Sequence, residues 1–372
     1  MILKNSDYSS LANDIKENAK RVIIYGAGMI GQIIVPYLVK TYDLYDYVDC
    51  FIDADKRKKG QKIHIDSRGY EIKTPDYLET YRENQIILIT HSKFLPILKI
   101  LDNNHFLDEA EGYIVPMMQI HEIDAAEPIH IERLSREALI PKKIHYCWFG
   151  GKDLPEFLQK CIQSWRQVCP DYEIIEWNEK NYDVSRHRFT REAYEKKKYG
   201  FVTDMARLDI LYENGGIYLD TDVTLLQSLD ECLYQSGFIG VEKWGNVNSG
   251  GGCGFIKNHP MVKKILDYRD QFTFILEDGS LNIETNGMYE TRPFIEAGFK
   301  PKNTMQIIEG VSVYPSYVTH PYDYMSCEMN KKESTLSVHH FWGGWMEEDD
   351  RLNRMNTQEE YRKIVNRIDG NR

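Results

Sequence analysis

Residues 201–223, FVTDMARLDILYENGGIYLDTDV, place a helical pattern, a glycine pair and an apolar strand pattern in direct succession. Four residues fall on one helical face at spacings i, i+3, i+4 and i+7, namely Asp204, Arg207, Leu208 and Leu211. Gly215 and Gly216 end that helix and allow a tight reversal into the strand. A helix joined so closely to an apolar strand is typical of α/β proteins, so the segment predicts an α/β fold.

The strand pattern GIYLDTDV ends in Asp220 and Asp222. Because alternate residues of a strand point to the same face, both carboxylates are expected on one side, where like charges repel unless a cation lies between them. A solvated turn is the alternative, and an Asp-x-Asp tripeptide alone does not decide between the two. With Asp204 and Arg207, these aspartates are expected at the carboxyl end of the sheet, where α/β proteins bind ligands.

Length and charge restrict the function further. A chain of 372 residues predicts two domains, and 46 basic against 57 acidic residues give a net charge of -11. This balance argues against a nucleic-acid-binding protein, which neutralises phosphates with basic residues. The basic clusters at 56–59 and 196–198 are interpreted as solvated faces, and a weak peripheral contact with an anionic membrane is left open.

Seven scattered cysteines form no CxxC pair and no zinc-ligand spacing, so neither a disulfide nor a structural zinc is expected. The first 20 residues lack a signal-peptide pattern, and no run of about 18 apolar residues occurs. We therefore expect a soluble cytoplasmic protein, with contact at the inner face of the membrane left open. The oligomeric state is not predicted.

Residues 1–125 are predicted to form a small Rossmann-like domain. RVIIYGAGMIGQIIVPYLV and YVDCFIDAD give a strand, a glycine-rich turn, a helix and a second strand, and QIILIT at 85–90 continues the alternation. Gly26, Gly28 and Gly31 fit G-x-G-x-x-G, and Asp53 stands where a dinucleotide fold places its ribose-binding acid. NAD binding by this domain is an alternative that we do not favour.

Residues 126–139 are charged and lack a strong period, so we interpret them as a linker. From residue 140 to residue 372 a second domain is predicted, because strand and helix patterns alternate through KIHYCWF, EFLQKCIQSWRQV, YEIIEWN, TDMARLDILYEN and GIYLDTDV. In this domain Trp148 follows a strand, where its ring can stack on a base or pack in a core. His339 and His340 near the C-terminus are a further candidate pair, of which one can face a site.

Four ordered segments carry a family resemblance: IPKKIHYCWFGG, residues 201–223, KNHP at 257–260 and HHFWGGW at 339–345. Together they resemble glycosyltransferases of family 32, the DxD sugar-binding-region group, over about residues 140 to 346. The resemblance implies a GT-A nucleotide-sugar-binding fold, Mn²⁺ or Mg²⁺ as cofactor, and transfer of a hexose with retention. The implied partners are a nucleotide sugar, UDP-linked by preference, and a saccharide or lipid-linked acceptor of surface or capsular polysaccharide synthesis.

The resemblance also implies residue roles. Trp148 matches the tryptophan that stacks on the base, and Trp345 matches the closing tryptophan of the family. Asp204 and Arg207 match the pair that contacts the ribose and the sugar of the donor, and Asp220 and Asp222 match the DxD. His339 or His340 matches the late histidine that reaches the metal or the diphosphate. In the DxD, the first carboxylate is expected on ribose and sugar hydroxyls and the second on the metal. Asn248, Ser249 and the glycines at 250–252 are expected to shape donor choice, with a flexible loop as the alternative.

One departure concerns residues 291–293, which read Thr-Arg-Pro where many members have Thr-Gly-Pro, and this puts donor or acceptor selectivity in doubt. Two other functions stay open. Tyr194 and Lys198 supply a YxxxK, so a NAD-dependent nucleotide-sugar epimerase or dehydrogenase is one alternative. A non-catalytic nucleotide-sugar-binding module is the other, and the intact DxD argues against it.

Overall fold

The computed structural model describes residues 1–4, 6–91, 94–118, 128–242, 245–323, 328–343 and 358–368. The chain divides into two compact units. The first unit comprises residues 1–125, 300–302 and 353–372, and the second comprises 126–299 and 303–352. Both units contain a seven-stranded sheet and helices, so the predicted α/β class is confirmed.

The first unit is built on a mostly parallel sheet with the strand order β1-β7-β6-β2-β3-β5-β4, in which only β4 runs antiparallel to its neighbour. Its strands are β1 Ile2–Lys4, β2 Arg21–Tyr25, β3 Val48–Ile52, β4 Lys62–Ile65, β5 Arg68–Lys73, β6 Gln85–Ile89 and β7 Glu111–Ile114. Its helices are α1 Tyr8–Glu17, α2 Met29–Thr41 and α3 Phe94–Asp102, with a helical segment described at 115–118. Short 3₁₀ helices lie at Lys56–Lys58, Pro75–Thr80 and His105–Leu107.

The glycine-rich turn between β2 and α2 is tightly packed. Gly26 has a φ of +125°, and a Cβ on Gly31 would lie 2.1 Å from the carbonyl oxygen of Gly26. The carboxylate of Asp53 accepts a hydrogen bond from the N–H of Ala27 at 3.0 Å and pairs with Lys58 at 2.9 Å. The N–H of Asp55 donates to the same carboxylate at 2.9 Å. This carboxylate thus already has three partners, and NAD binding stays an alternative that we do not favour.

The helix α10 at 358–368 belongs to the first unit, which corrects the predicted second domain of residues 140 to 372. Tyr361 is buried and its ring lies 6.0 Å from that of Phe94 in α3. Arg367 forms an ion pair with Asp102 at 2.7 Å. The helix could not be placed from its sequence, because an amphipathic pattern shows which face is buried but not against what.

We predict that the presence of α10 determines whether an isolated fragment containing the second unit self-associates. A fragment of residues 126–372 retains α10 without α3, so the apolar face with Tyr361 becomes exposed. We expect that fragment to self-associate, whereas residues 126–352 remain monomeric and melt cooperatively. Size-exclusion chromatography with light scattering and a thermal melt measure this. Equal behaviour of the two fragments would contradict the burial of the apolar face of α10 against α3.

The second unit is built on a mixed sheet with the order β14-β15-β12-β13-β10-β8-β9. Neighbours are parallel at β15-β12, β10-β8 and β8-β9 and antiparallel elsewhere. Its strands are β8 Lys143–Cys147, β9 Glu173–Trp177, β10 Gly216–Tyr218, β12 Gly237–Val241, β13 Val247–Phe255, β14 Gln306–Ile308 and β15 Val311–Tyr314. Two small antiparallel sheets pair β11 Val223–Leu225 with β18 Ser337–His339, and β16 Tyr322–Asp323 with β17 Glu328–Met329.

Helices cover this sheet, with one apolar core on each face. They are α4 Glu156–Val168, α5 Arg188–Glu195, α6 Tyr199–Asn214, α7 Pro260–Arg269, α8 Asn286–Glu296 and α9 Ser316–Thr319, with a 3₁₀ turn at Asp230–Leu233. Alternation along β10 assigns Ile217 to one core and Tyr218 to the other. Half of the residues of α6 are buried, including Asp209 opposite the expected apolar face, because the helix is packed on several sides. Within the described ranges, no helix combines the length and apolarity needed to cross a bilayer.

The predicted strand GIYLDTDV is wrong as a single element. The main-sheet strand β10 ends at Tyr218, residues 221 and 222 form a turn, and β11 begins at Val223 in a different sheet. The N–H of Val223 bonds back to the carbonyl of Asp220 at 3.1 Å, which closes the turn. An alternating apolar pattern shows that residues are extended, but it does not show that they stay in one sheet.

Candidate metal centre and active site

The turn after β10 is fixed by backbone hydrogen bonds to both neighbouring strands. The N–H of Leu219 bonds to the carbonyl of His145 in β8 at 3.1 Å, and the N–H of Asp220 bonds to the carbonyl of Gly250 in β13 at 2.9 Å. These bonds place the carboxylates of Asp220 and Asp222 at the end of β10. The two aspartates are therefore neighbours because of a turn, and not because of strand alternation.

Asp220, Asp222 and His339 offer ligand atoms that all lie within 4.8 Å of one another. His339 Nε2 is 3.4 Å from Asp222 Oδ1 and 3.8 Å from Asp220 Oδ2. Two carboxylate oxygens and an imidazole nitrogen form a donor set that suits Mn²⁺ or a similar divalent cation. The residues therefore fit a metal site.

His339 reaches the aspartates because β18 pairs with β11, where Val223 is directly opposite His339. The chain beyond β18 then crosses the turn: the N–H of Trp342 donates to Asp222 Oδ2 at 2.7 Å. Phe341, at a φ of +48°, stacks its ring on His339 with centroids 4.1 Å apart. The backbone after the histidines thus returns to the carboxylates.

The charges of Asp222 and His339 stabilise each other. Burial raises the pKa of Asp222, but the charge and hydrogen bond of His339 outweigh this and lower the pKa below its ordinary value. Burial lowers the pKa of His339, but Asp222 and then Asp220 raise it above its ordinary value. Without a cation, an imidazolium therefore balances part of the acidic charge.

His340 lies outside this cluster. Its Nε2 hydrogen-bonds Thr224 Oγ1 at 2.9 Å, and its ring packs edge-on against Phe157 at 5.2 Å. The structure thus places His339, and not His340, against the aspartates, because successive strand residues point to opposite faces. Trp345, the other residue expected from this motif, lies outside the described residues.

Arg207 connects the aspartate turn to α6. Its guanidinium, with 5% side-chain exposure, donates to Asp204 Oδ1 at 2.8 Å and pairs with Asp220 Oδ1 at 3.1 Å. It also donates to Ser249 Oγ at 3.2 Å. Tyr218 adds a hydroxyl donor to Asp220 Oδ1 at 3.0 Å. The conformation of Asp220 is therefore set by Arg207 and Tyr218, and one of its oxygens remains directed to His339.

Asp204 has an unusual environment for a helical carboxylate. Burial raises its pKa, and the positive charges of Arg207 and then Arg269 oppose that rise. Its Oδ2 lies 3.8 Å from Arg269, and its side chain retains some exposure. The predicted donor-binding pair, Asp204 and Arg207, therefore lies next to Asp220. Two arginines, Arg207 and Arg269, face the carboxylate of Asp204.

The glycine run at 250–252 lies within strand β13, so the loop alternative is wrong. A Cβ on Gly250 would lie 2.3 Å from Asp220 Oδ2, and one on Gly251 would lie 2.4 Å from His320 Nε2. Glycines are required because the strand passes directly against the side chains of the site. Asn248 accepts a hydrogen bond from the N–H of Gly250 at 2.7 Å, so it lies in the same segment.

Trp148 follows β8, the strand next to β10 in the sheet. Its indole N–H donates to the carbonyl of Lys152, and its ring is half-buried against the core that contains Ile217. Both expectations for this residue, base stacking and core packing, are compatible with that position. Its role stays a prediction.

His187 links α6, the helix that carries Asp204 and Arg207, to the end of α7. We call its contacts with Asp209 and Asp270 the histidine clamp. His187 Nε2 lies 2.8 Å from Asp209 in α6, and its Nδ1 lies 2.6 Å from Asp270, which follows α7. Burial lowers the pKa of His187, but the hydrogen bonds and charges of Asp209 and Asp270 raise it above the ordinary value. Tyr182 also donates to Asp209, at 2.6 Å.

We predict that this clamp loses strength as the pH rises. A group with a raised folded-state pKa contributes its full stability below its unfolded pKa, about 6.5 for histidine, and loses it as the pH passes the folded value. We expect His187→Gln to melt about 2–4 °C below the wild type at pH 6, a shift that corresponds to about 1 kcal/mol. This difference in melting temperature should narrow toward pH 9. A difference that stays constant or widens as the pH rises would show that His187 is neutral in the folded protein.

Sequence reasoning missed several residues that complete this region: Tyr218, Arg269, Asn286, Glu290 and His320. Arg269 and Glu290 are buried charges, each with 0% exposure. Their helices carry no motif that points to the aspartates. The flagged triplet at 291–293 was the nearest signal, because it directly follows Glu290 in α8.

Comparison with known proteins gives a family match. Residues 155–239 match the family model described as a glycosyltransferase sugar-binding region containing a DXD motif. The matched segment contains four of the site residues predicted from the sequence, Asp204, Arg207, Asp220 and Asp222. It ends before Ser249 and His339, which the fold brings to the same place.

Relatives of several kinds align with about two fifths to half of the chain. Subversion of eukaryotic traffic protein A of Legionella pneumophila is 27% identical over 197 residues, 42% of this chain and 30% of that protein. Inositol phosphoceramide mannosyltransferase 3 of Schizosaccharomyces pombe is 28% identical over 163 residues, 43% of this chain and 44% of that protein. An uncharacterised glycosyltransferase of Acanthamoeba polyphaga mimivirus is 28% identical over 189 residues, 48% of this chain and 74% of that protein. The chain spans less than half the length of the first two relatives.

Proposed function

We propose that this chain is a metal-dependent, retaining hexosyltransferase, because residues 155–239 match the DXD-containing sugar-binding region of glycosyltransferases. The donor is a nucleoside diphosphate sugar, with UDP as the favoured nucleotide. The observation that supports this most is the cluster of Asp220, Asp222 and His339 beside Arg207. The mixed sheet of the second unit agrees with a GT-A-like fold.

The reaction breaks the bond between the anomeric carbon and the diphosphate and forms a bond from that carbon to an acceptor hydroxyl, whose proton is lost. Asp220, Asp222 and His339 would hold the divalent cation. When bound, this cation would supply positive charge to the departing diphosphate. Arg207 adds a fixed guanidinium that is already desolvated, so it needs little reorganisation as charge develops.

Asp204 and Asp220 accept hydrogen bonds, so they are suited to hydroxyl groups of the ribose and the sugar. Trp148 would stack on the base, and Asn248 would border the sugar. Trp345 would cover the diphosphate. We assign no carboxylate nucleophile, since the acidic groups of the cluster already have roles in holding the cation and the donor.

The acceptor that we propose is a saccharide or a lipid-linked saccharide, in the synthesis of a surface or capsular polysaccharide. One relative is a mannosyltransferase that by its name acts on inositol phosphoceramide, which makes a lipid-linked acceptor and a GDP-mannose donor worth testing.

A thermal-shift panel tests the proposal. UDP-glucose, UDP-galactose, UDP-N-acetylglucosamine, GDP-mannose and NAD are each added with Mn²⁺, with Mg²⁺ or with EDTA. A ligand that binds the folded state raises the melting temperature by mass action, so we expect at least one sugar nucleotide to do so only with metal. Release of its nucleoside diphosphate should then be detected by chromatography.

The same panel separates the alternatives. A shift by NAD together with no metal-dependent shift by any sugar nucleotide would support an epimerase or dehydrogenase and contradict the transferase. A metal-dependent shift without release of the diphosphate, with or without saccharide acceptors, would support a non-catalytic binding module. The YxxxK that motivates the first alternative is weakened because Tyr194 donates to Glu179 at 3.1 Å in the second unit.

A further inference from the structure

Behind the aspartates, six buried or half-buried polar residues of four elements form a closed ring. We call it the polar ring, and its members are Asp204 and Arg207 of α6, Arg269 of α7, Asn286 and Glu290 of α8, and Ser249 of β13. Three members, Asp204, Arg207 and Ser249, were expected at the donor site from the sequence. The other three have no assigned role.

The first half of the polar ring runs through Arg269. Its Nη2 lies 3.8 Å from Asp204 Oδ2, and its Nη1 donates to Asn286 Oδ1 at 2.7 Å. Asn286 in turn donates through Nδ2 to Glu290 Oε1 at 2.6 Å. The links of Arg269 join α7 to α6 and to α8, and the third link lies within α8, so the position of Asp204 depends on α7 and α8.

The second half returns through β13. Glu290 Oε2 accepts from the N–H of Ser249 at 2.9 Å, and Glu290 Oε1 accepts from the Ser249 hydroxyl. Ser249 Oγ then accepts from Arg207 at 3.2 Å, which closes the ring at the residue that holds Asp220. A displacement of any member is therefore transmitted to the donor pair.

Within the polar ring, the burial of the Arg269 guanidinium is energetically unfavourable and therefore requires a functional explanation. Its side chain has 0% exposure and lies between the rings of Phe189 and Tyr289, at 5.0 and 4.6 Å. Within the described part of the chain, its Nε and Nη2 donate no hydrogen bond, so Asp204 is the charge that Nη2 faces. Burying a guanidinium with unused donors is costly, and a purely apolar residue would pack there at lower cost.

We propose that Arg269 is a positioning residue of the donor site, which holds the carboxylate of Asp204 in place from the side opposite Arg207. This inference rests on the proposed function, because Asp204 matters only if a sugar nucleotide binds there. Arg207 alone would draw Asp204 toward Asp220. Arg269 balances that attraction and leaves the exposed edge of Asp204 free to accept a donor hydroxyl.

Two nearly isosteric substitutions test the charge separately from the packing. Arg269→Lys keeps a cation that can face Asp204, whereas Arg269→Met keeps the volume alone. The probe is the sugar nucleotide with the largest shift in the panel above, with Mn²⁺, titrated calorimetrically. We expect Arg269→Met to raise the Kd about tenfold or more, as for the loss of one hydrogen bond or ion contact to a charged group, and Arg269→Lys to remain within about threefold of the wild type. The kcat of donor hydrolysis should change less than KM.

His187→Gln is the matched control. His187 joins Asp209 of α6 to Asp270, the residue that follows Arg269, so its loss weakens the contact between α6 and α7 without changing a member of the polar ring. It should lower the melting temperature and leave the Kd unchanged. Equal Kd values for the Lys and Met variants, or an equal loss in the control, would overturn the positioning role. If Arg269→Met does not fold, Asn286→Ala, at a half-exposed position, must still raise the Kd. If the wild type binds no member of the panel, the proposed function fails first, and this inference fails with it.

Discussion

Asp222→Asn is expected to abolish metal-dependent turnover. The substitution removes a charged ligand from the cluster with Asp220 and His339, while the amide oxygen can still accept the hydrogen bond from the N–H of Trp342. Stabilisation of a diphosphate by a cation amounts to several kcal/mol, so we expect donor hydrolysis to fall by about a thousandfold or more. The fold should persist, because no core packing changes. Hydrolysis of the sugar nucleotide with Mn²⁺ measures the loss.

A readout apart from activity identifies the cause. Mn²⁺ should raise the melting temperature of the wild type and should not raise that of Asp222→Asn. Asp171→Asn, which changes an exposed aspartate paired with Lys142, is the control and should keep both the shift and the turnover. Undiminished transfer by Asp222→Asn would remove this residue from the metal centre. Asp220→Asn should also be severe, with a larger share of its loss in donor binding.

Helices and strands whose apolar residues recur at regular spacing were predictable from the sequence. The helix predicted as EFLQKCIQSWRQV is α4 with the same bounds, and the strand QIILIT is β6 with one residue fewer. In both, the apolar spacing and the flanking turn residues agree with the tertiary environment, so local preference and packing give the same answer. The DXD region was recognisable for a similar reason, since its residues are contiguous along α6 and the following turn.

Features set by distant partners were not predictable. The division of GIYLDTDV into two sheets depends on β18, about 115 residues away, which takes Val223 as its partner. The choice of His339 over His340 depends on the same pairing. Arg269 and Glu290 have ordinary helical surroundings in sequence, and only packing of α7 and α8 against α6 and β13 brings their charges to Asp204 and Ser249.

Arg207→Met is the second substitution with a large expected effect. It leaves the carboxylates of Asp204 and Asp220 without their shared cation, in a site where the guanidinium has only 5% side-chain exposure. Breaking a buried pair from one side costs about 3–5 kcal/mol of folding stability. Donor hydrolysis should fall by about a hundredfold or more, as expected when a preorganised donor to a developing charge is lost. Chemical denaturation and the hydrolysis assay measure the two effects.

Arg207→Lys separates charge from geometry in this case. A lysine ammonium is a compact point charge without the planar fork that lets the guanidinium contact Asp204, Asp220 and Ser249 through separate nitrogens, so we expect it to recover much of the stability and little of the turnover. Arg186→Met is the control, because Arg186 forms ion pairs with Asp209 and Glu213 but is 40% exposed, where a pair contributes about 0–1 kcal/mol. A lysine variant with wild-type turnover would mean that the site needs only a positive charge near Asp220. The forked contacts of Arg207 would then be structural, and the polar ring would lose its connection to the donor.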